Sequence, residues 1–316
     1  MHYEGMYLGS NVTAFSKSDS CRVFEMKNDT GMGTMTLYEV FPGIALSYND
    51  FHMNNCYSEF HSDKDTLFIE HCREGRIEWD MENNTCLYLG AGDLRIDNHR
   101  DHNGRFEFPL KHYYGISILI CKEEAEKTLK DALGGFPFKL AKLQEKFCNR
   151  ETSFVLRAQP GIEHIFYELY NVPSTIKGYY FKVKVLELLL YLSVLDVSGK
   201  LDKHPYFYKV QVEKVKAIEK LMTENIQVHY TLEELSKKFD MSLTSMKICF
   251  KGVFGESIYA YMRNFRMNKA AELIRQSTKS IDFIAGVVGY ESHSKFSAAF
   301  KKVIGKSPLQ YRKSIV

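Results

Sequence analysis

Between residues 34 and 121, apolar and polar positions alternate in short runs, the period of two that turns one face of a strand toward a core. The clearest runs are 35–40, 43–48, 66–71, 76–80, 93–96 and 113–121. Turn signals fall between them at Pro42-Gly43, Glu74-Gly75, Glu82-Asn83-Asn84, Gly90-Ala91-Gly92 and Asn103-Gly104. Many short strands at this spacing predict an antiparallel barrel or sandwich.

Past Cys121 the period changes. Residues 122–133 have helical composition and stop at Gly134-Gly135, and 138–148 repeat it; segments 161–172 and 175–195 follow. The last holds Val183, Val185, Leu186, Leu188, Leu189, Leu190, Leu192 and Leu195, more than one core-facing stripe can use. Such a helix needs a second surface to cover it, either the barrel or another copy of the chain. A linker with Ser, Gly and Pro runs over 197–208, and a helix over 209–225 opens the final segment.

In that segment twelve residues are written twice. Phe250-Lys-Gly-Val-Phe-Gly-Glu-Ser-Ile-Tyr-Ala-Tyr261 returns as Phe300-Lys-Lys-Val-Ile-Gly-Lys-Ser-Pro-Leu-Gln-Tyr311, with six positions identical. A short amphipathic segment with a polar start precedes each copy, so the repeated unit is a pair of helices. In the first unit, Thr231-Leu-Glu-Glu234 has the form of a capping box, and Leu232, Leu235 and Phe239 make its stripe. Asp240-Met241 is the turn, and Ser242 caps a second helix with core face Met246, Cys249, Phe250 and Val253. Its opposite face is Leu243, Thr244, Lys247, Ile248 and Lys251.

In the second unit, Ser280 is the cap, Ile281, Ile284 and Val288 the stripe, and Gly289-Tyr290 the turn. Ser292 caps a helix with core face Phe296, Ala299, Phe300 and Val303, leaving His293, Ser294, Ser297, Ala298 and Lys301 outside, with Lys295 and Lys302 beside them. Gly305 stops that helix, and Ser307-Pro308 starts a last short one. Residues 257–276 form the spacer, a helix near 30 Å long at about 1.5 Å per residue. One turn of DNA is roughly 34 Å, so this spacer suits two reading helices in successive major grooves.

The charge is split in the same place. The 316 residues carry a net +3, yet from Lys209 onward 19 Lys and Arg face 10 Asp and Glu, a net +9. Residues 1–208 therefore carry 23 against 29, a net −6. A basic third joined to an acidic remainder indicates a nucleic-acid module attached to something else. Seven scattered cysteines with no Cys-x-x-Cys pair fit reduced thiols, and no apolar run reaches the roughly 18 residues of a membrane span. Together with a start that lacks signal-peptide features, these place the expected protein in the cytoplasm.

The pattern Arg266-Met-x-x-Ala270-x-x-Leu273-Ile274, then Ile281-x-x-Ile284-Ala285-x-x-Val288-Gly289-Tyr290, then Phe296-x-x-x-Phe300-Lys301-x-x-x-Gly305-x-Ser307-Pro308-x-x-Tyr311-Arg312 closely resembles the signature of AraC/XylS transcription regulators. The resemblance covers about a third of the chain. It implies two domains: an N-terminal antiparallel β-barrel, cupin-like, with a helical tail, and a C-terminal all-α domain of seven helices with two helix-turn-helix units. The boundaries expected are 1–150 for an effector-sensing barrel, 151–208 for a helical dimerisation region and linker, and 209–316 for the DNA-binding domain. Implied partners are double-stranded DNA, RNA polymerase, a small-molecule effector and a second copy of the chain in a homodimer. The chain departs from the commoner family pattern, which often places Arg, Gln or Trp where Thr244, Lys247 and Ile248 stand, and Arg on the second outer face, which here has Ala298. Without a bidentate Arg, guanine reading rests on Lys247, and a site with much A·T content, read partly through shape, is expected.

For the barrel, Trp79, Tyr88, Arg95, His112 and Tyr114 are the effector-binding candidates, as aromatic and polar groups suited to a barrel mouth. His52, His61, His71, His99, His102 and His112 raise a metal reading, with His99-Arg-Asp-His102 the nearest approach to a ligand pair. A pair one residue apart on one strand is missing, so no metal and no cofactor are expected. Catalytic motifs are also missing: there is no Gly-x-Ser-x-Gly, no phosphate-loop Gly-Lys-Ser and no His-Glu-x-x-His. Cys72, in His71-Cys-Arg73, lacks the Pro-Cys-His-Arg setting of DNA-repair methyltransferases that carry a similar DNA-binding domain. A metal-dependent cupin enzyme with a DNA-binding appendage, and a ligand-independent regulator acting through protein partners, stay open beside the effector-controlled regulator.

Overall fold

The structure, a computed structural model, describes residues 2–3, 6–17, 21–81, 83–98, 101–134, 139–148, 153–197 and 206–315. It divides into two compact units, Met1–Tyr206 and Phe207–Val316.

The first unit is an antiparallel sheet. Its strands are β1 (His2–Tyr3), β2 (Met6–Tyr7), β3 (Val12–Lys17), β4 (Arg22–Asn28), β5 (Gly31–Phe41), β6 (Ile44–His52), β7 (Asn55–Ser62), β8 (Thr66–Met81), β9 (Thr85–Gly90), β10 (Leu94–Asp97), β11 (Asp101–Glu107), β12 (Tyr113–Cys121) and β13 (Phe154–Leu156). Hydrogen bonding follows the path β1-β2-β7-β11-β8-β12-β6-β5-β4-β3; β8 also carries β9 and β10, and β10 carries β13. The result is a curled half-barrel. Helices α1 (Lys122–Ala132), α2 (Leu140–Phe147), α3 (Pro160–Tyr170) and α4 (Lys177–Val194) cover one face.

The period of two sorts the side chains. Ile44 and Leu46, Leu67 and Ile69, Leu94 and Ile96, and Ile116, Ile118 and Ile120 join Phe166, Phe181, Leu188 and Leu192 of the helices in one core. The alternate positions, among them Phe51, Cys72 and Tyr113, join Phe24, Met26, Trp79 and Phe108 on the inner face of the curl. Burying both faces of a sheet is what the apolar richness of 113–121 requires.

Two expected turns are strand instead. Strand β8 runs through Glu74-Gly75 because Gly75 takes a φ of +80° and the Arg76 amide donates to the His112 carbonyl, so the strand bends without leaving the sheet. A register shift at Tyr114/Gly115 of β12 absorbs the extra length. The bend lets the first half of β8 pair with β12 and β10, and the second half with β9 and β11. Likewise Asn103-Gly104 lies within β11, where pairing with Glu59 and Ser58 of β7 overrides the local turn preference. Strands β3, β4, β7, β9, β11 and β13 fall outside the alternating runs.

The second unit is all helix apart from its first residues: α5 (Lys209–Glu224), α6 (Leu232–Lys238), α7 (Leu243–Phe254), α8 (Ile258–Gln276), α9 (Ile281–Val287), α10 (His293–Ile304) and α11 (Pro308–Lys313). Seven helices with two helix-turn-helix units stand where the resemblance implied them. No helix among the described residues is long and apolar enough to cross a membrane.

Candidate nucleic-acid interface and cavity

Both helix-turn-helix units start from side-chain caps. Thr231 accepts from the Glu234 amide while Glu234 accepts from the Thr231 amide, and Ser280 accepts from the Phe283 amide. The reading helices α7 and α10 are capped by Ser242 and Ser292 and end at Gly255 and Gly305, at φ +81° and +85°. Such caps satisfy amides and carbonyls that a helix end leaves unpaired. The turns differ by one residue. Asp240, at φ 47°, and Gly289, at φ 84°, close them with equivalent bonds from the Met241 amide to Ser236 and from the Tyr290 amide to Ala285, and Glu291 is then the extra residue before the second reader.

The predicted core faces are inside. Met246, Cys249, Phe250 and Val253 are buried, as are Phe296 and Phe300, while Ala299 and Val303 are half-buried. Thr244, Lys247, Ile248 and Lys251 are exposed, as are His293, Ser294, Lys295, Ala298, Lys301 and Lys302. Leu243 and Ser297 are half-buried. Ile248, at 56% exposure, is a large apolar side chain kept at a surface without a fold reason. One ring nitrogen of His293 is engaged, its Nδ1 meeting the Asp282 carboxylate at 2.5 Å.

The spacer α8 serves as the frame. Its buried Met267, Ala270 and Ile274 pack with Ile281, Ile284, Phe296 and Phe300 of the second unit. Arg266 is also buried: Nε donates to the Ile226 carbonyl at 3.0 Å, one terminal nitrogen to the Val228 carbonyl at 3.0 Å, and the other meets His229 Nδ1 at 3.1 Å. This Arg is therefore a clamp on the segment before α6. A cleft lined by His229, Arg263, Arg266, Glu291 and Lys295 lies beside it, and Arg263, which sequence reasoning did not single out, adds a cation near the second reader.

The inner face of the sheet encloses a cavity of about 180 Å³. Its walls are mostly apolar, including Phe24, Met26, Met35, Phe51, Phe60, Phe68, Trp79 and Phe108, with Ser47, Asn49, Ser58, Glu70 and Ser117 among them as polar residues. Of the five effector candidates, Trp79 lines this space. Arg95 lies behind it, with its guanidinium 4.5 Å from the Trp79 ring centre. Tyr88 instead donates to Glu78 at 2.6 Å, His112 Nδ1 bonds the Leu110 carbonyl, and Tyr114 packs on Tyr170. Sequence reasoning missed Ser47, Asn49, Glu70 and Ser117; the signal was a polar residue at the inner position of an otherwise apolar run.

The histidines do not converge. His52 and His61 are exposed beside Asp50 and Asp63. His71 is buried on the helix side, stacked on Phe166 and bonded to Tyr170, and burial with nearby Arg73 pushes its pKa down to about 4. His99 lies outside the described residues, as does the side chain of His102. Among the described residues, one group has metal-ligand proximity, Glu78, Asp80 and Cys86, and it includes no histidine.

Residues 235–314 match the family model of a helix-turn-helix domain. Over 83 residues the chain is 35% identical to the HTH-type transcriptional regulator AlkR of Acinetobacter baylyi, covering 26% of this chain and 27% of AlkR. Over 88 residues it is 33% identical to the HTH-type transcriptional activator RhaR of Pectobacterium carotovorum, covering 28% and 31%. Among solved structures, the C-terminal domain of AraT, a response regulator from Geobacillus stearothermophilus, is 32% identical, with 32% of this chain and 84% of that chain covered and a TM-score of 0.31. The chain thus spans less than a third of the length of AlkR and of RhaR, and these relatives are regulators, not enzymes. Two capped helix-turn-helix units on one α8 frame, with the family-model match, make the helical unit a double helix-turn-helix domain similar to those of AraC/XylS transcription regulators.

Proposed function

We propose that this protein binds double-stranded DNA sequence-specifically through α7 and α10 and regulates transcription under control of a small molecule held in the sheet cavity. The observation that carries the reading is the separation of roles within the repeat: the matching Phe250/Phe300 and Val253/Val303 face the core and the matching Gly255/Gly305 and Ser257/Ser307 end and start helices, whereas Lys247/Ser297 and Ile248/Ala298 differ on the outward faces. Lys251, Lys295, Lys301 and Lys302 contact phosphate, Lys247 reads a base edge, and Thr244, Ile248 and Ala298 supply hydroxyl and methyl contacts. The one-residue difference between the turns adds a second asymmetry. The site is an asymmetric one of two unlike halves in adjacent grooves, with much A·T content. Selection from random duplexes tests this: A·T-rich unlike halves are expected, and guanine-rich or palindromic sites would overturn it.

A homodimer forms along α4. Tyr179, Val183, Leu186, Leu190 and Val194, spaced by three and four, remain exposed or half-exposed after Phe181, Val185, Leu188 and Leu192 have entered the core. A second copy covers this stripe and gives DNA binding a gain from linkage. Sedimentation of Val183→Glu checks it, a monomer being the expected result. The protein acts in the cytoplasm, with RNA polymerase as its partner on the promoter.

A further inference from the structure

One line of residues crosses the inner wall from strand to strand. Ser47 of β6 pairs with Ser117 of β12, Ser117 with Glu70 of β8, and Glu70 with Arg95 of β10. Directly opposed residues in neighbouring strands share a face. A polar row therefore runs perpendicular to the strands through a wall that is mostly apolar. Nothing in strand formation asks for it.

The row is wired from both ends. Ser47 donates to Asn49 Oδ1 at 2.8 Å, and the Asn49 amide donates to Ser117 Oγ at 2.7 Å, so Ser117 keeps its own proton to give. At the other end Arg95 donates to Glu70 at 2.7 Å and is paired with Asp97, which also accepts from Ser153. Two carboxylates share one guanidinium, so the cluster carries a net negative charge. Trp79 sits against the same guanidinium, is 7% exposed, and its indole N–H has no hydrogen-bond partner among the described residues. A buried donor without an acceptor is costly, and a bound molecule can remove that cost.

Building on the reading of the cavity as the effector site, we infer that it takes an uncharged, hydrocarbon-rich molecule whose polar head is a hydroxyl. The hydroxyl oxygen accepts from Trp79 Nε1 and from Ser117 Oγ, and its proton goes to Glu70; the hydrocarbon lies among Phe24, Met35, Phe51 and Phe108. A carboxylate head would face Glu70 and the excess negative charge. An ammonium head would satisfy Glu70 but offer no acceptor to Trp79, and would lose its hydration in an apolar space.

Trp79 is the only tryptophan of the chain, so its emission reports directly on the site. The full-length protein is titrated with 1-octanol, octanoate and octylamine, which share one chain length and differ in the head. Octanol should change Trp79 emission and raise the melting temperature, while the two charged probes bind about tenfold or more weakly. Ser117→Ala should weaken octanol by roughly three- to tenfold, the range of one hydrogen bond. Glu70→Gln, with its fold checked by melting, should leave octanol within about threefold and strengthen octanoate, because the repelling charge is gone. Octanoate or octylamine binding as tightly as octanol overturns the hydroxyl assignment and leaves the cavity as the effector site; so does an unchanged octanol affinity in Ser117→Ala. No response to any of the three overturns both.

Discussion

The two units use their polar residues in opposite ways. In the helical unit, polar side chains on α7 and α10 point outward from a core of Met246, Phe250, Phe296 and Phe300, and their identities are free to vary because the fold does not use them. In the sheet unit, Ser47, Ser117, Glu70 and Arg95 point inward, where each must find a partner or pay for its desolvation. A recognition surface built outward can be retuned residue by residue. One built inward is coupled to stability through its hydrogen bonds and its charge balance.

The most severe way to break this comparison is to remove the core on which the outward faces depend. Phe300→Ala should cost about 3–5 kcal/mol, unfold the helical unit first and abolish DNA binding, leaving Trp79 emission native. A melt followed by far-UV circular dichroism, alongside Trp79 fluorescence, separates the two units.

The helix-covered face of the sheet unit holds a buried histidine that makes it acid-sensitive. His71 is held neutral, with its folded pKa near 4 against an ordinary value near 6.5. The unfolded chain thus binds a proton that the folded one refuses between these values. Its contribution is fully present above pH 6.5 and falls by about 3 kcal/mol as the pH drops toward 4. Denaturant unfolding at a series of pH values checks this: in His71→Phe, which keeps an aromatic ring on Phe166, that part of the slope should vanish.

Within the helical unit the outward lysines sharpen the contrast. Lys247→Ala should cost about 1–3 kcal/mol at the selected site and relax its sequence preference. Lys301→Ala should instead weaken all duplexes alike and lower the salt slope by about 1, as for one lost phosphate contact. Binding isotherms at several salt concentrations distinguish them. The smallest effect belongs to the caps: Thr231→Ala should lower stability by about 1 kcal/mol without touching either face, and thermal melts read it.

The degree to which the chain was legible follows the same division. Helix spacing, caps and stops act within four residues, so α6 to α11, their core faces and their outward faces could be assigned from the letters alone. The role of Arg266 could not be, because the Ile226 and Val228 carbonyls it clamps lie some forty positions away. In the sheet unit, alternation located β5, β6, β8 and β12 but placed turns at Gly75 and Gly104 where strand continues, since cross-strand bonds outweighed local preference. Of the five candidates for the cavity, Trp79 faces it and Arg95 backs it, while Tyr88, His112 and Tyr114 are engaged elsewhere.

By itself the sequence determined the duplicated helical unit, its charge and the residues it turns outward, because helical periodicity and capping are local physics. Only the tertiary structure decided that Ser47, Ser117, Glu70 and Arg95 stand in one row facing a cavity. Strand register joins residues 25 to 70 positions apart, and a shift of a single residue would have turned each of these side chains to the other face.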